Sequence, residues 1–313
     1  MRIAISFNAQ EPKERVGIMK TLCKVFVAAI LCISAPFVMA EKTSFYVGEI
    51  GLGARSLALG GLAAGSDEIS GISNNPASIA RIKERYSLLV GQNKDYSWSD
   101  WKEEQVGFVL PNIGSFRLGG FYIREAVSLL EENNNIIENN HWGSKIIGIG
   151  GGLRLRPNLE FGVSMNHILL KNIVEGELLT GRATLYNLGV ILSPANWQIG
   201  MVAHNLPLIG DMDVIPDYHF GMAWIKSGNR IQLETVFYQP PEDRQMAVSI
   251  GGGIEVSFTP ALTMRIGRKQ MRLHEQAPIT FGLGIKAGAI GIDYTYSIKD
   301  VTSSHRFSSS WHF

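Results

Sequence analysis

From about residue 85 onward, large apolar side chains alternate with small or polar ones. Met246, Val248, Ile250, Ile254, Val256 and Phe258 alternate with Ala247, Ser249, Gly251, Gly253, Glu255 and Ser257. The stretches Ile279–Lys286 and Ile290–Lys299 repeat the pattern. A period of two gives an extended strand one apolar and one polar face. The pattern predicts about fourteen strands, near 86–96, 103–112, 115–125, 144–156, 158–172, 180–193, 195–206, 217–226, 229–239, 244–258, 260–269, 277–287, 289–298 and 302–313.

The links between these segments alternate in length. Pro111–Gly114, Pro157-Asn158, Ser193-Pro194, Ser227–Asn229, Thr259-Pro260 and Ala287-Gly288 carry tight-turn chemistry. Longer links fall between them, at 97–102, 126–143, 173–179, 207–216, 240–243, 270–276 and 299–301. Short turns on one rim and long loops on the other characterise a transmembrane β-barrel. With an even strand count, both ends of the barrel are expected at the periplasmic rim. A soluble two-sheet sandwich would need one shared core for all these apolar faces. Facing them outward into lipid satisfies the backbone by closure and leaves no edge. The expected fold is therefore all-β: a 14-stranded antiparallel transmembrane barrel.

Aromatic residues at strand ends, Trp98, Trp101, Trp142, Trp197, Tyr218, Trp224, Tyr238 and Trp311, are candidates for interfacial girdles. The last strand carries Phe307, Ser309, Trp311 and Phe313 on one face, similar to the C-terminal signal read by the outer-membrane barrel assembly machinery.

Composition refines this picture at the N-terminus. Hydrophobic residues make up 45% of the chain and charged residues 18%, with a formal charge of +1, so no basic field points to nucleic acid. Lys20 and Lys24 precede an apolar run, Val25 to Ala40, that ends in Val38-Met39-Ala40. A basic flank, an apolar stretch and small residues at its end predict a signal peptide over 1–40, with Met19 an alternative start. The run is shorter than the ~20 residues of a membrane span. Both cysteines, Cys23 and Cys32, lie inside it, so the mature chain has no thiol chemistry.

Residues 41–85 break the alternation and are expected to form a plug inside the barrel formed by 86–313. Asn75-Pro76 fits an N-cap and first position of a short helix through Ala80. Gly53-Ala54-Arg55, Gly60-Gly61, Asp67 and Asn75-Pro76-Ala77 together resemble the N-terminal signature of FadL-type outer-membrane proteins and their PorV/PorQ relatives. The close, from Asp293-Tyr294-Thr295-Tyr296 through His305-Arg306-Phe307, resembles the final hairpin of the PorV/PorQ branch. The resemblance implies one of two activities. FadL-type proteins pass hydrophobic small molecules across the outer membrane, whereas PorV-type proteins attend protein secretion. The signature is common to both branches.

The remaining candidates for chemistry are weak. The glycine run Gly148, Gly150, Gly151 and Gly152 lacks the following helix of a phosphate loop. Asp211, Asp213 and Asp217 lack the spacing of a calcium loop and read as a solvated loop. The seven histidines show no paired metal spacing, and no hydrolase elbow is present, so neither enzyme, metal site nor cofactor is expected.

The polar strand faces place Arg154, Arg156, Glu160, Asn166, Gln198, His204, Gln232, Glu234, Glu255, Arg265, Lys286, Asp293, Lys299, Arg306 and His312 toward the lumen. The first reading is a passive transporter of apolar solutes gated by segment 51–82. There Asn75, Pro76, Gly60 and Gly61 set the shape, and Arg55 and Asp67 anchor it to luminal charges. The second is a secretion-associated protein that binds exported partners through 126–143 or 207–216. Outer-membrane lipid is a partner in either case.

Overall fold

The computed structural model describes residues 44–45, 51–95, 99–129, 141–174, 177–210, 212–239, 246–269, 278–299 and 302–313. The expected signal peptide lies outside these residues, as do Trp98 and Asp211.

Fourteen strands form a closed antiparallel barrel. In chain order they are β1 (Ser87–Asp95), β2 (Ser99–Val109), β3 (Phe116–Leu129), β4 (His141–Arg156), β5 (Leu159–Val174), β6 (Glu177–Leu192), β7 (Trp197–Gly210), β8 (Asp217–Lys226), β9 (Asn229–Tyr238), β10 (Ala247–Thr259), β11 (Leu262–Lys269), β12 (Ile279–Ala287), β13 (Ile290–Lys299) and β14 (Thr302–His312). Each pairs with its sequence neighbours, and β14 pairs with β1 from Ser304↔Asp95 to His312↔Ser87. Two backbone bonds extend the seam, Tyr86 N–H to Phe313 O (2.9 Å) and Phe313 N–H to Tyr86 O (3.0 Å). This arrangement leaves the wall no free edge.

Alternation in sequence becomes alternation in burial. Along β9, Arg230, Gln232, Glu234, Val236 and Tyr238 are buried, while Ile231 and Leu233 between them are exposed. The exposed set is made of large apolar side chains such as Ile250, Ile266, Phe281, Ile292 and Phe307, so the outer surface is a hydrophobic belt. Tyr238 points inward and is 6% exposed, which removes it from the expected aromatic girdle.

The tight turns fall where their chemistry places them. Ser227 (φ 53°) and Gly228 (φ 81°) both take left-handed backbone, the twist a two-residue hairpin requires. The link expected over 173–179 is shorter than its sequence suggested, because β5 continues to Val174 and β6 begins at Glu177. A register shift between Arg154 and Arg156 breaks strict alternation at the end of β4, and Arg156 is exposed beside the following turn.

Residues 51–82 lie within the ring of strands. They form a short helix α1 (Gly53–Ala58), a 3-10 turn at Ile69–Gly71 and a 3-10 helix at Pro76–Arg81. The Asn75 side chain caps the last of these, accepting a bond from Ala77 N–H at 3.0 Å. The expected short helix is present in its tighter form, while α1 had no periodic signal in the sequence.

Inward-facing wall glycines admit this segment. A Cβ at Gly162 would collide with the backbone of Pro76 and Ala77, and one at Gly200 with Ala63. Gly267 stands likewise against Ala58. The plug backbone therefore rests directly on the wall, leaving no space for side chains between them. Gly162→Val should leave the barrel folded, seen as an intact heat-modifiable band on gels. The overpacking, about 1–3 kcal/mol, should unseat the plug and raise hydrogen exchange at residues 76–81 at least several-fold. Unchanged exchange there would mean that the wall glycine does not set the seat.

Candidate functional site

Polar groups from the wall hold the plug by its charges and by its backbone. Arg55, the third residue of α1, forms a two-pronged pair with Glu255 on β10, with Nε and Nη2 each 2.8 Å from a carboxylate oxygen. It also reaches Ser66 Oγ (2.9 Å) and Glu68 (3.1 Å) within the plug. Glu255 in turn binds Arg265 Nε at 2.6 Å, and Arg265 Nη1 binds Asp293 at 2.5 Å. On the opposite wall Arg81 pairs with Glu160 at 3.1 Å, and Arg154 donates to Ala80 O at 2.8 Å.

The plug's backbone groups are met one by one. Glu234 accepts from Ala63 N–H (2.8 Å), and Thr295 and Thr280 donate to Ala54 O and Ala58 O. Gln232 donates to Leu59 O at 3.0 Å and also to Gly61 O. Arg306 donates to Gly51 O (2.7 Å) and pairs with Glu103. His204 Nε2 lies 2.7 Å from Asn74 O. Such bonds satisfy buried groups that would otherwise be desolvated at a loss.

Most residues expected at the site thus come together. Gly60 (φ 68°) and Gly61 (φ 114°) take backbone that side chains disfavour, and Gly61 sits against the Glu234 carboxylate. Asn75 is fully buried and donates to Ala63 O at 2.8 Å, tying two parts of the plug together. Pro76 and Ala77 rest on Gly162, with Pro76 also against Gly189. Gln198 accepts from Arg230 Nη1 at 3.1 Å, and Asn166 is buried on β5. Lys286 and Asp293 line an inner cavity. Phe307 and Phe313 face outward.

Several residues of the network were missing from the sequence reading. Arg230 donates to Gly65 O at 2.7 Å, and Arg117 donates to Ile82 O and Glu84 O. His219 lies between Asp217 (3.2 Å) and Glu234 (3.0 Å), with its ring 4.7 Å from that of His204. Extending the same parity to every inward position would have found Arg117, Arg230 and His219. Asp217 corrects the solvated-loop reading: it begins β8 and is 1% exposed.

Two regions flank the plug. Toward the short-turn rim lies a cavity of ≈ 250 Å³ with Arg55, Asp67, Glu68, Glu255, Arg265 and Asp293 in its lining. Asp67 faces it; burial opposes the charged form, but Arg55 and the other nearby guanidinium groups outweigh this and lower its carboxyl below the usual range. Arg55 is raised, because Glu255 and Glu68 outweigh the effect of burial. Toward the long-loop rim the inward faces of β3–β6 are apolar: Phe121, Ile123, Ile146, Ile168, Ala183 and Leu185 are all buried. Leu52, Ile69, Ile72 and Ile79 of the plug join the same cluster from below, and Met212 and Val214 join it from the β7–β8 link. The pair Asp213–Val214 is in turn bridged, in parallel, to Ser44–Phe45.

This combination, a closed lipid-facing barrel with an N-terminal segment bound inside it, defines a plugged membrane barrel. Neither a protein-family model nor a curated protein sequence matches the chain. Solved structures do. The toluene transporter TbuX of Ralstonia pickettii is similar over 85% of this chain and 99% of its own, with TM-score 0.66 and 12% identity. The P. putida toluene transporter TodX is similar over 84% and 99%, with TM-score 0.61 and 12% identity. A Pseudomonas aeruginosa FadL homologue is similar over 87% and 100%, with TM-score 0.60 and 10% identity. The fold is that of the FadL-type outer-membrane β-barrels.

Glu255→Gln leaves Arg55 and Arg265 facing each other without their shared carboxylate. It should weaken plug seating by about 3–5 kcal/mol, read as faster exchange at residues 53–61, and Arg55→Met in the same chain should recover part of the loss. Asp67→Asn should loosen the plug at neutral pH. Because the Asp67 carboxyl is lowered in the folded chain, its contribution is present above the ordinary carboxylate range near ~4. It is lost as pH falls through the lowered value. Exchange rates of the variant and parent should therefore converge in acid; a difference that persists there would remove the charge argument.

Proposed function

We propose that the chain is a passive outer-membrane channel for hydrophobic small molecules, gated by segment 51–82. The observation that carries this reading is the buried apolar surface inside the barrel, on β3–β6 above the plug. A water-filled lumen gives inward positions no reason to be isoleucine, leucine or phenylalanine, since such barrels are polar inside. An apolar luminal patch joined to plug residues matches what an apolar solute needs: removal from water before it meets the gate. The shared fold with proteins named as toluene transporters supports the reading.

In this scheme the long-loop rim faces outside the cell and the short-turn rim faces the periplasm. Solute collects on the apolar wall and leaves through the charged cavity beyond the plug, where it has little affinity. Transport follows the concentration gradient, and the plug yields because one of its states binds solute better than the other.

The test is uptake of radiolabelled toluene by cells or proteoliposomes carrying the protein. Ile146→Asp with Ile168→Asp places two unpaired charges on the apolar wall and should lower uptake at least tenfold while the barrel stays folded. Undiminished uptake in that variant would refute the route. A stoichiometric protein partner on mild extraction, together with no toluene uptake by the parent, would favour the secretion-associated reading instead.

A further inference from the structure

The apolar chamber is occupied by the chain itself. Met212 is 9% exposed and Val214 4%, although both belong to the link between β7 and β8. Met212 lies over Gly181, an inward position of β6 where an added Cβ would overlap its sulfur and Cγ. Gly181 is paired with Leu170, and its neighbour two positions on, Ala183, is paired with Ile168. A missing side chain at 181 and a short one at 183 make a seat beside Ile168, Leu170 and Leu185. A thioether on a flexible stem fills such a seat as a small apolar molecule would.

Charge narrows what else fits. Among the described residues, the inward positions of β3–β6 around this seat carry no lysine or arginine. Of the described cations across the lumen, Lys269 is engaged with Glu234 (3.2 Å) and Arg306 with Glu103 (3.0 Å). Along the same wall stands an acidic side chain, Glu125, which accepts a bond from Ser144 at 2.5 Å. A carboxylate ligand would be desolvated there with no cation among the described residues to receive it.

Resting on the transport reading above, we infer that Met212 and Val214 act as a resident surrogate ligand. The solute that displaces them is a neutral, compact hydrocarbon of about their combined size, not a fatty-acid anion. Displacement of the two side chains draws on the Asp213–Val214 bridge to Ser44–Phe45, which links solute entry to the segment that leads into the plug. A site that is open only part of the time binds with reduced apparent affinity, and removing the occupant removes that penalty.

The experiment is fluorine NMR titration of the full-length protein in detergent with para-fluorotoluene and omega-fluorodecanoate. The parent should bind the toluene probe and not the decanoate. Met212→Ala should tighten toluene binding about tenfold, and Ala183→Phe, which fills the seat, should abolish it. Decanoate binding as tight as toluene, or an unchanged toluene affinity in Met212→Ala, overturns this inference alone. If toluene binds neither the parent nor Met212→Ala, or survives Ala183→Phe, the chamber is not the solute site and the transport route falls with it.

Discussion

Closing fourteen strands into a cylinder satisfies the backbone of the wall but leaves a lumen that the wall's own side chains do not fill. The rest of the molecule answers that constraint. A plug without periodic secondary structure brings many unpaired N–H and C=O groups inside, and each needs a partner. The wall supplies them in two ways. Glycines such as Gly162 and Gly200 let the plug backbone lie directly on the strands. Between them, long polar side chains such as Gln232, Arg230 and Arg306 reach plug carbonyls that lie farther off. The small inward residues of the sequence and its scattered inward charges are therefore one device.

The lumen is also divided by polarity. The half beside the short turns holds the Arg55–Glu255–Arg265–Asp293 chain around an open cavity. The half beside the long loops, on β3–β6, carries an apolar cluster in which Met212 and Val214 pack. Hydrocarbon packs against hydrocarbon on β3–β6, while across the lumen Asp217, His219, Glu234 and Lys269 pair with one another near the long loops. On the proposed route, a solute crossing between the two halves leaves a favourable environment for an unfavourable one, and the plug sits at that boundary.

Much of this was legible before any coordinates. Period-two alternation located every barrel strand, because one face meets lipid and the other meets a polar interior. Asn75-Pro76 marked a helix start because capping is local chemistry, and the cap is there. What escaped was non-local. Helix α1 has its shape from contacts with the wall rather than from its own six residues. Arg230 and Asp217 follow the parity rule, but their partners lie on other strands. The apolar chamber left a faint trace: at Ile146-Ile147 and Ile168-Leu169-Leu170 the alternation lapses into continuous apolar runs. Such runs are what a strand shows when both of its faces are buried in apolar surroundings.

The strength of the plug's attachment constrains how any passage opens. Among the described residues two ion pairs join plug to wall directly, Arg55–Glu255 and Arg81–Glu160, and breaking a buried pair by removing one partner costs about 3–5 kcal/mol. More than half a dozen side-chain bonds to plug backbone add about 1 kcal/mol each. Expelling segment 51–82 as a body would break all of these together, and the binding of one small hydrocarbon cannot repay that. A passage that opens on solute binding must therefore use the pieces held least. Asp67 fits that requirement, facing the inner cavity at the plug's edge. The Met212–Val214 link, resting in its seat by apolar contact, fits it too. Local rearrangement between those points changes few bonds, which keeps the two states close enough in free energy for a weakly bound solute to choose between them.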